Sequence, residues 1–219
     1  MKHLKLSVTI SFCAIMSPLL ATTKGLNQIV TPDIQPAGQL SVSFQQEDPN
    51  IGNRYQVQLE LGLTKRFEAA MFQGFSPDEQ IFNAEYGLIQ RKDVLLSAGF
   101  ANWSTMGSAP QPYLEAGYQK GPTYAMVGAI DVTVEEPGVG GSVLNQHQLQ
   151  SILGVAYRTD PRMLLQVDYQ SGSGNFSTAG FTYNITPQLQ INPSVYLTNV
   201  TPRKEYGYVV LTYSITAWK

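Results

Sequence analysis

Thiols are almost absent from this chain of 219 residues, whose single cysteine is Cys13. Cys13 lies in the apolar stretch from Leu6 to Leu20, between a positive start (Lys2, His3, Lys5) and the small residues Ala21, Thr22 and Thr23. That order is the pattern of a secretory signal over residues 1–23, cleaved near Ala21 to Thr23. The stretch is short for a membrane helix, which needs about 20 apolar residues. Ile10, Ser11 and Phe12, before the cysteine, do not form a lipoprotein processing box. A mature chain starting near residue 24 has no thiol, which excludes disulfides and thiolate metal sites.

Charge and histidine are scarce as well. Charged residues make up 14% of the chain and the net charge is -2, which argues against a nucleic-acid partner. Beyond the signal the sole histidine is His147. A serine hydrolase needs a base within hydrogen-bond reach of its nucleophile. Ser151 shares a strand face with His147 but lies four residues on, about 13 Å away. Ser142 could approach only through the glycine-rich loop Gly138 to Gly141. No metal cluster, phosphate loop or dinucleotide fingerprint occurs, so no catalytic residue, metal or cofactor is expected and the chain reads as a non-enzyme.

Sustained helical periodicity is missing too, and period-two alternation takes its place. In the segment from Tyr55 to Thr64, Tyr55, Val57, Leu59, Leu61 and Leu63 share one face; Gln56, Gln58, Glu60, Gly62 and Thr64 share the other. The pattern recurs, with strands expected to begin near Gln39, Tyr55, Phe67, Gln80, Val94, Pro112, Thr123, Gln148, Arg162, Asn175, Gln188 and Glu205. The strand from Phe67 is ambiguous because Glu68 and Phe72 fall on one face, and Pro193 interrupts the eleventh, where a bulge or a late start would accommodate it. Short, often basic turns such as Lys65-Arg66 and Lys120-Gly121-Pro122 alternate with longer acidic or glycine-rich loops, among them Glu47 to Asn53 and Glu135 to Asn145. Tight periplasmic turns alternating with longer outer loops are the rhythm of an up-and-down barrel in an outer membrane.

Alternation alone would also suit a soluble barrel or sandwich with its apolar face inside. Three features favour the membrane. Twelve strands enclose more space than apolar side chains fill. The opposite face is rich in Gln, Asn, Thr and acids, as a hydrated lumen requires. Aromatics gather near strand ends, with Phe67, Tyr118, Tyr124, Tyr157, Tyr183 and Trp218 at one rim and Tyr55, Phe100, Trp103 and Tyr169 at the other. The expected fold is therefore all-β, a transmembrane up-and-down antiparallel β-barrel of about twelve strands over residues 39–219. Residues 24–38 form a periplasmic segment or a plug. Mean hydropathy near neutral, -0.11, agrees with lipid-facing residues alternating with polar ones.

The segments Leu165 to Gly174, Gly180 to Ile191 (with its Thr186-Pro187 turn) and Tyr208 to Lys219 resemble porin-like bacterial outer-membrane proteins, including a transporter-like group linked to phenol degradation. The resemblance is architectural and covers roughly residues 37 to 218. It implies a Gram-negative outer membrane, lipid as surroundings, small-molecule solutes as cargo and a barrel-assembly machinery that reads the last strand. That machinery favours a terminal aromatic, whereas here Trp218 is penultimate.

Strand alternation places Glu60, Glu85, Glu115, Asp131 and Asp168 on the wet face as pore-lining residues, with bases mainly in turns. Such carboxylates favour cations in a channel; pairing with Arg54 or Arg158 would leave them merely solvating the wall. Inward small residues (Gly62, Gly87, Ser97, Gly99, Gly117, Gly154, Gly180) leave room for a pore or serve curvature. The expected function is passive diffusion of small solutes with cation preference. The alternatives are a closed structural or interaction barrel, with Gly25 to Gly38 filling the lumen, and a lipid-active enzyme.

Overall fold

The alternating pattern folds as twelve antiparallel strands in a computed structural model, which describes residues 25–137 and 143–218. They are β1 (Gln39–Glu47), β2 (Tyr55–Gly62), β3 (Phe67–Phe75), β4 (Asp78–Gln90), β5 (Val94–Ser104), β6 (Gln111–Lys120), β7 (Thr123–Pro137), β8 (Val143–Asp160), β9 (Met163–Gln170), β10 (Phe176–Asn184), β11 (Leu189–Thr198) and β12 (Glu205–Thr216). Each strand pairs with its sequence neighbour, and β12 pairs with β1 to close the barrel. Closure satisfies the ladder without leaving a first and last edge, the condition for β-structure in lipid. Residues 1–24, which hold the expected signal, and Gly140 in the expected outer loop lie outside the described residues.

Large apolar side chains are exposed on the outside, among them Phe44, Leu114, Val127, Leu153, Val167, Val195 and Tyr213. Their strand neighbours Ser43, Glu115, Gln166, Ser194 and Thr212 are buried inside. An oily exterior around a polar interior inverts a soluble fold and matches a membrane barrel. On β2, Leu59 is 37% exposed and the adjacent Gln58 is 5% exposed. Arginine at mid-strand Leu59 is therefore expected to cost about 2–4 kcal/mol of stability, and arginine at Gln58 less, in refolding titrations into lipid. The reverse order would mean that the inside and outside faces had been exchanged.

The two doubtful strands have local explanations. Phe72 and Glu68 of β3 both point inward, opposite Gln58 and Gly62 of β2. On β11, Pro193 keeps its register with Val209 of β12. Proline cannot donate to the other neighbour, β10, and the Asn192 side chain donates to the Phe181 carbonyl at 3.0 Å instead. A neighbouring amide thus supplies what the proline lacks, without a bulge on β12.

The longest strands, β7 and β8, stay paired from Thr123–Tyr157 out to Pro137–Val143, beyond the last β6 partner at Ile130 and the last β9 partner at Ile152. They project as a two-stranded ribbon on the long-loop side, where β8 begins five residues before the expected Gln148.

Candidate functional site: the barrel interior

Residues 25–35 lie inside the barrel, and the exposed Pro36 and Ala37 lead from them to the first strand. Leu26, Ile29 and Ile34 are buried, and Leu26 and Ile29 pack with Met126, Ile130, Ile152 and Ala156. Tyr124, expected among the rim aromatics, packs inward against this cluster instead, because it shares the inner face of its strand with Met126. The polar residues of the segment bond to the opposite wall. The backbone amide of Asn27 donates to Asp168 Oδ2 at 2.7 Å, and its side chain bonds Gln166 and Thr178. The Tyr196 hydroxyl donates to the Asn27 carbonyl at 2.7 Å. Further along, the Gln35 amide donates to Glu68 Oε2, and the Gln90 side chain donates to the Pro32 carbonyl.

The inward glycines trace this path. A β-carbon added at Gly154 would meet Leu26, at Gly180 Asn27, at Gly117 Pro32, at Gly87 Ile34, and at Gly62 the carbonyls of Gln35 and Pro36. On five different strands the missing side chain is the space the segment occupies. Gly99 is different, since its close neighbours are Ala84 and Tyr113 of the wall.

On the long-loop side of Asn27 to Val30 is a cavity of about 440 Å³. Glu47, Glu60, Glu68, Glu79, Glu85 and Glu115 line it, and no lysine or arginine among the described residues does so. Glu60, Glu85 and Glu115 are thus brought together. Glu85 Oε2 accepts from the Tyr113 hydroxyl at 3.0 Å, and Glu60 Oε2 from the Gln58 side chain at 3.4 Å. Asp168 also faces inward, but it is buried against the segment and outside this cavity's lining.

Asp131 requires a correction. It pairs with Leu149, which is exposed, while its neighbour Ile130 is buried in the interior. Asp131 therefore points outward and does not line the lumen. The physical reason is that the inner face of β7 carries Met126, Ile130 and the partly buried Val132, an apolar bed for the segment. Assigning the polar residue to the lumen fails where the lumen itself is filled.

Three cavity glutamates escaped the sequence reading. Glu47 continues the inward series Ser41, Ser43, Gln45, and that period was the signal that could have found it. Glu68 was obscured by Phe72, its companion on the inner face. Glu79 precedes the strand start expected near Gln80, whereas β4 starts at Asp78 and the connection from β3 is only Ser76-Pro77.

No family model matches the sequence, and no curated protein is similar to it by sequence. Among solved structures, the KdgM porin in complex with disordered oligogalacturonate superposes with a TM-score of 0.56 at 11% identity, over 81% of this chain and 99% of that one. The NanC porin superposes with a TM-score of 0.55 at 11% identity, over 80% of this chain and 98% of that one. The fold is that of an outer-membrane porin. At such identity the likeness fixes the barrel architecture alone.

A porin-like barrel also presents an outer surface at the ribbon. There His147 Nδ1 lies 3.1 Å from Asp131 Oδ2, a pairing across β7 and β8 that the sequence reading missed. Both side chains sit on the outward face, and the partner of the imidazole is a carboxylate rather than Ser151.

Proposed function

We propose that this chain is an outer-membrane channel for small solutes, preferring cations, with residues 25–38 narrowing the passage as a plug. The observation that carries the reading is the cavity of about 440 Å³ lined by six glutamates and by no basic residue among those described. Carboxylates along a low-dielectric lumen raise the local concentration of cations and exclude anions. Glu60, Glu85 and Glu115 are the pore-lining residues of this proposal, joined by Glu47, Glu68 and Glu79. Asp168 acts differently, by holding the plug. Oligogalacturonate, found with the KdgM porin, carries carboxylates; the acidic interior here opposes that solute class.

A salt gradient across a bilayer containing the refolded barrel tests the charge assignment. The expected reversal potential is cation-selective and shrinks in concentrated salt, because screening acts over about 10 Å at 0.1 M. Changing Glu60, Glu85 and Glu115 together to glutamine weakens the selectivity while the barrel still folds. Anion selectivity of the parent barrel would refute the proposal.

A second reading, a closed barrel serving as a structural or interaction platform, is favoured by the hydrogen bonds of Asn27 and the apolar packing of Leu26 and Ile29. The two readings differ in whether residues 25–38 ever leave room for flow. An outer-membrane barrel in either case meets lipid and the barrel-assembly machinery as its surroundings.

A further inference from the structure

The cavity has a second chemical character that simple ion passage does not use. On the wall formed by β10 to β12, Phe176, Tyr196 and Tyr208 form part of its lining. Phe176 and Tyr196 meet edge to face with centroids 5.5 Å apart, and Tyr196 and Tyr208 are 5.2 Å apart. Glu47 of β1 stands directly opposite Tyr208 of β12 in the ladder, so a carboxylate adjoins the aromatic row. Its Oε1 accepts from the Gln56 side chain at 3.0 Å and its Oε2 from Gln45 at 3.4 Å. Glu79 accepts from Ser104 and from Asn53. The donors to these two carboxylates are neutral amides and a hydroxyl, so none of them brings a positive charge that would compete with a bound cation.

We propose that the chamber binds an organic cation with an apolar body, a quaternary or alkylated ammonium, with its charge between Glu47 and the faces of Tyr208, Tyr196 and Phe176. The inference rests on reading the barrel interior as a solute path and names the class of solute that path retains. Aromatic faces attract a cation through the ring quadrupole, most strongly where water is excluded. A hydrated metal ion gains little from such rings, and an anion is repelled by the carboxylates. A neutral sugar could stack on the rings but would leave the glutamate charge without a counterpart. The volume lies within the range of small-molecule pockets, about 300–1,000 Å³.

Calorimetric titration of the refolded full-length barrel with choline, and with its neutral carbon isostere dimethylbutanol, tests the proposal without requiring conduction. Choline is expected to bind about tenfold more tightly than the isostere. Glu47→Gln and Tyr208→Leu should each weaken choline binding several-fold, while Phe82→Leu on the outer face leaves it unchanged. Heat-modifiable migration on gels confirms that each variant is folded, and a variant that fails this check is replaced by Phe176→Leu. Equal binding of choline and its isostere, or choline binding indifferent to Glu47 and the rings, would overturn the proposal. Cation-selective conduction without choline binding would remove this inference alone. Choline binding in a barrel that never conducts would keep it and move the function to the closed reading.

Discussion

A barrel refolded without residues 25–38 is expected to conduct several-fold more than the full-length chain, with fewer closures and a weaker cation preference. The segment occupies the lumen physically, with Leu26 and Ile29 against Met126, Ile130, Ile152 and Ala156. Removing it opens the route past Asp168, Gln166 and Thr178, groups that now bond Asn27 and would then bond water. Those wall residues are polar, so their hydration costs little. The apolar bed becomes wet, and the barrel should lose some stability while keeping its ladder, because every strand partner lies outside the deleted stretch. The cation preference falls because a wider lumen holds ions farther from the wall carboxylates, where screening is stronger. Planar-bilayer recording of both proteins at one salt concentration reads the difference. Equal conductance would mean that solutes pass beside the segment or that another element limits flow. Silence from both would place the protein with the closed platforms.

The outer face of the barrel was legible in the sequence because lipid imposes a uniform rule. Val94, Leu96, Ala98 and Phe100 alternate with the buried Ser97 and the inward Gly99, and neither partner depends on what fills the lumen. Glu60, Glu85 and Glu115 followed from that same alternation. Asp131 did not, since the inner face of β7 is lined with Met126 and Ile130 where the N-terminal segment packs. A period of two gives the parity of a strand but not which parity is inside, and on β7 the usual clue of a polar inner face is reversed. The glycines carried the missing information in another form. Gly62, Gly87, Gly117, Gly154 and Gly180 stand at inward positions on separate strands, yet no single strand reveals that their gaps join into one path. That relation is created by closure of the barrel. The aromatic row was hidden for a similar reason, since Phe176, Tyr196 and Tyr208 look like ordinary strand residues until register brings their rings together.

Valine at Gly62 is expected to expel the N-terminal segment while leaving most of the barrel intact. A β-carbon there would stand 2.2 Å from the Pro36 carbonyl oxygen and 2.5 Å from that of Gln35. Both contacts are with backbone, so a change of side-chain rotamer cannot relieve them, and the Gly62 carbonyl itself accepts the Gly38 amide at 2.7 Å. Either the segment moves or β2 does. The segment gives way more readily, because β2 is bonded along its length to β1 and β3. The bond from Gln35 to Glu68 should break with it, and the N-terminal part should become a substrate for a nonspecific protease, detected as loss of residues before Gly38 by mass spectrometry. Conductance should rise toward that of the barrel lacking residues 25–38. Gly207→Val is the control, since no atom lies within 4 Å of its added β-carbon. The two defects should also fail to add: once residues 25–38 are deleted, Gly62→Val should cost little further refolding stability, as expected for groups in direct contact. Full additivity, together with protection of the segment in the Gly62→Val protein, would show that strand β2 rather than the segment bears the collision.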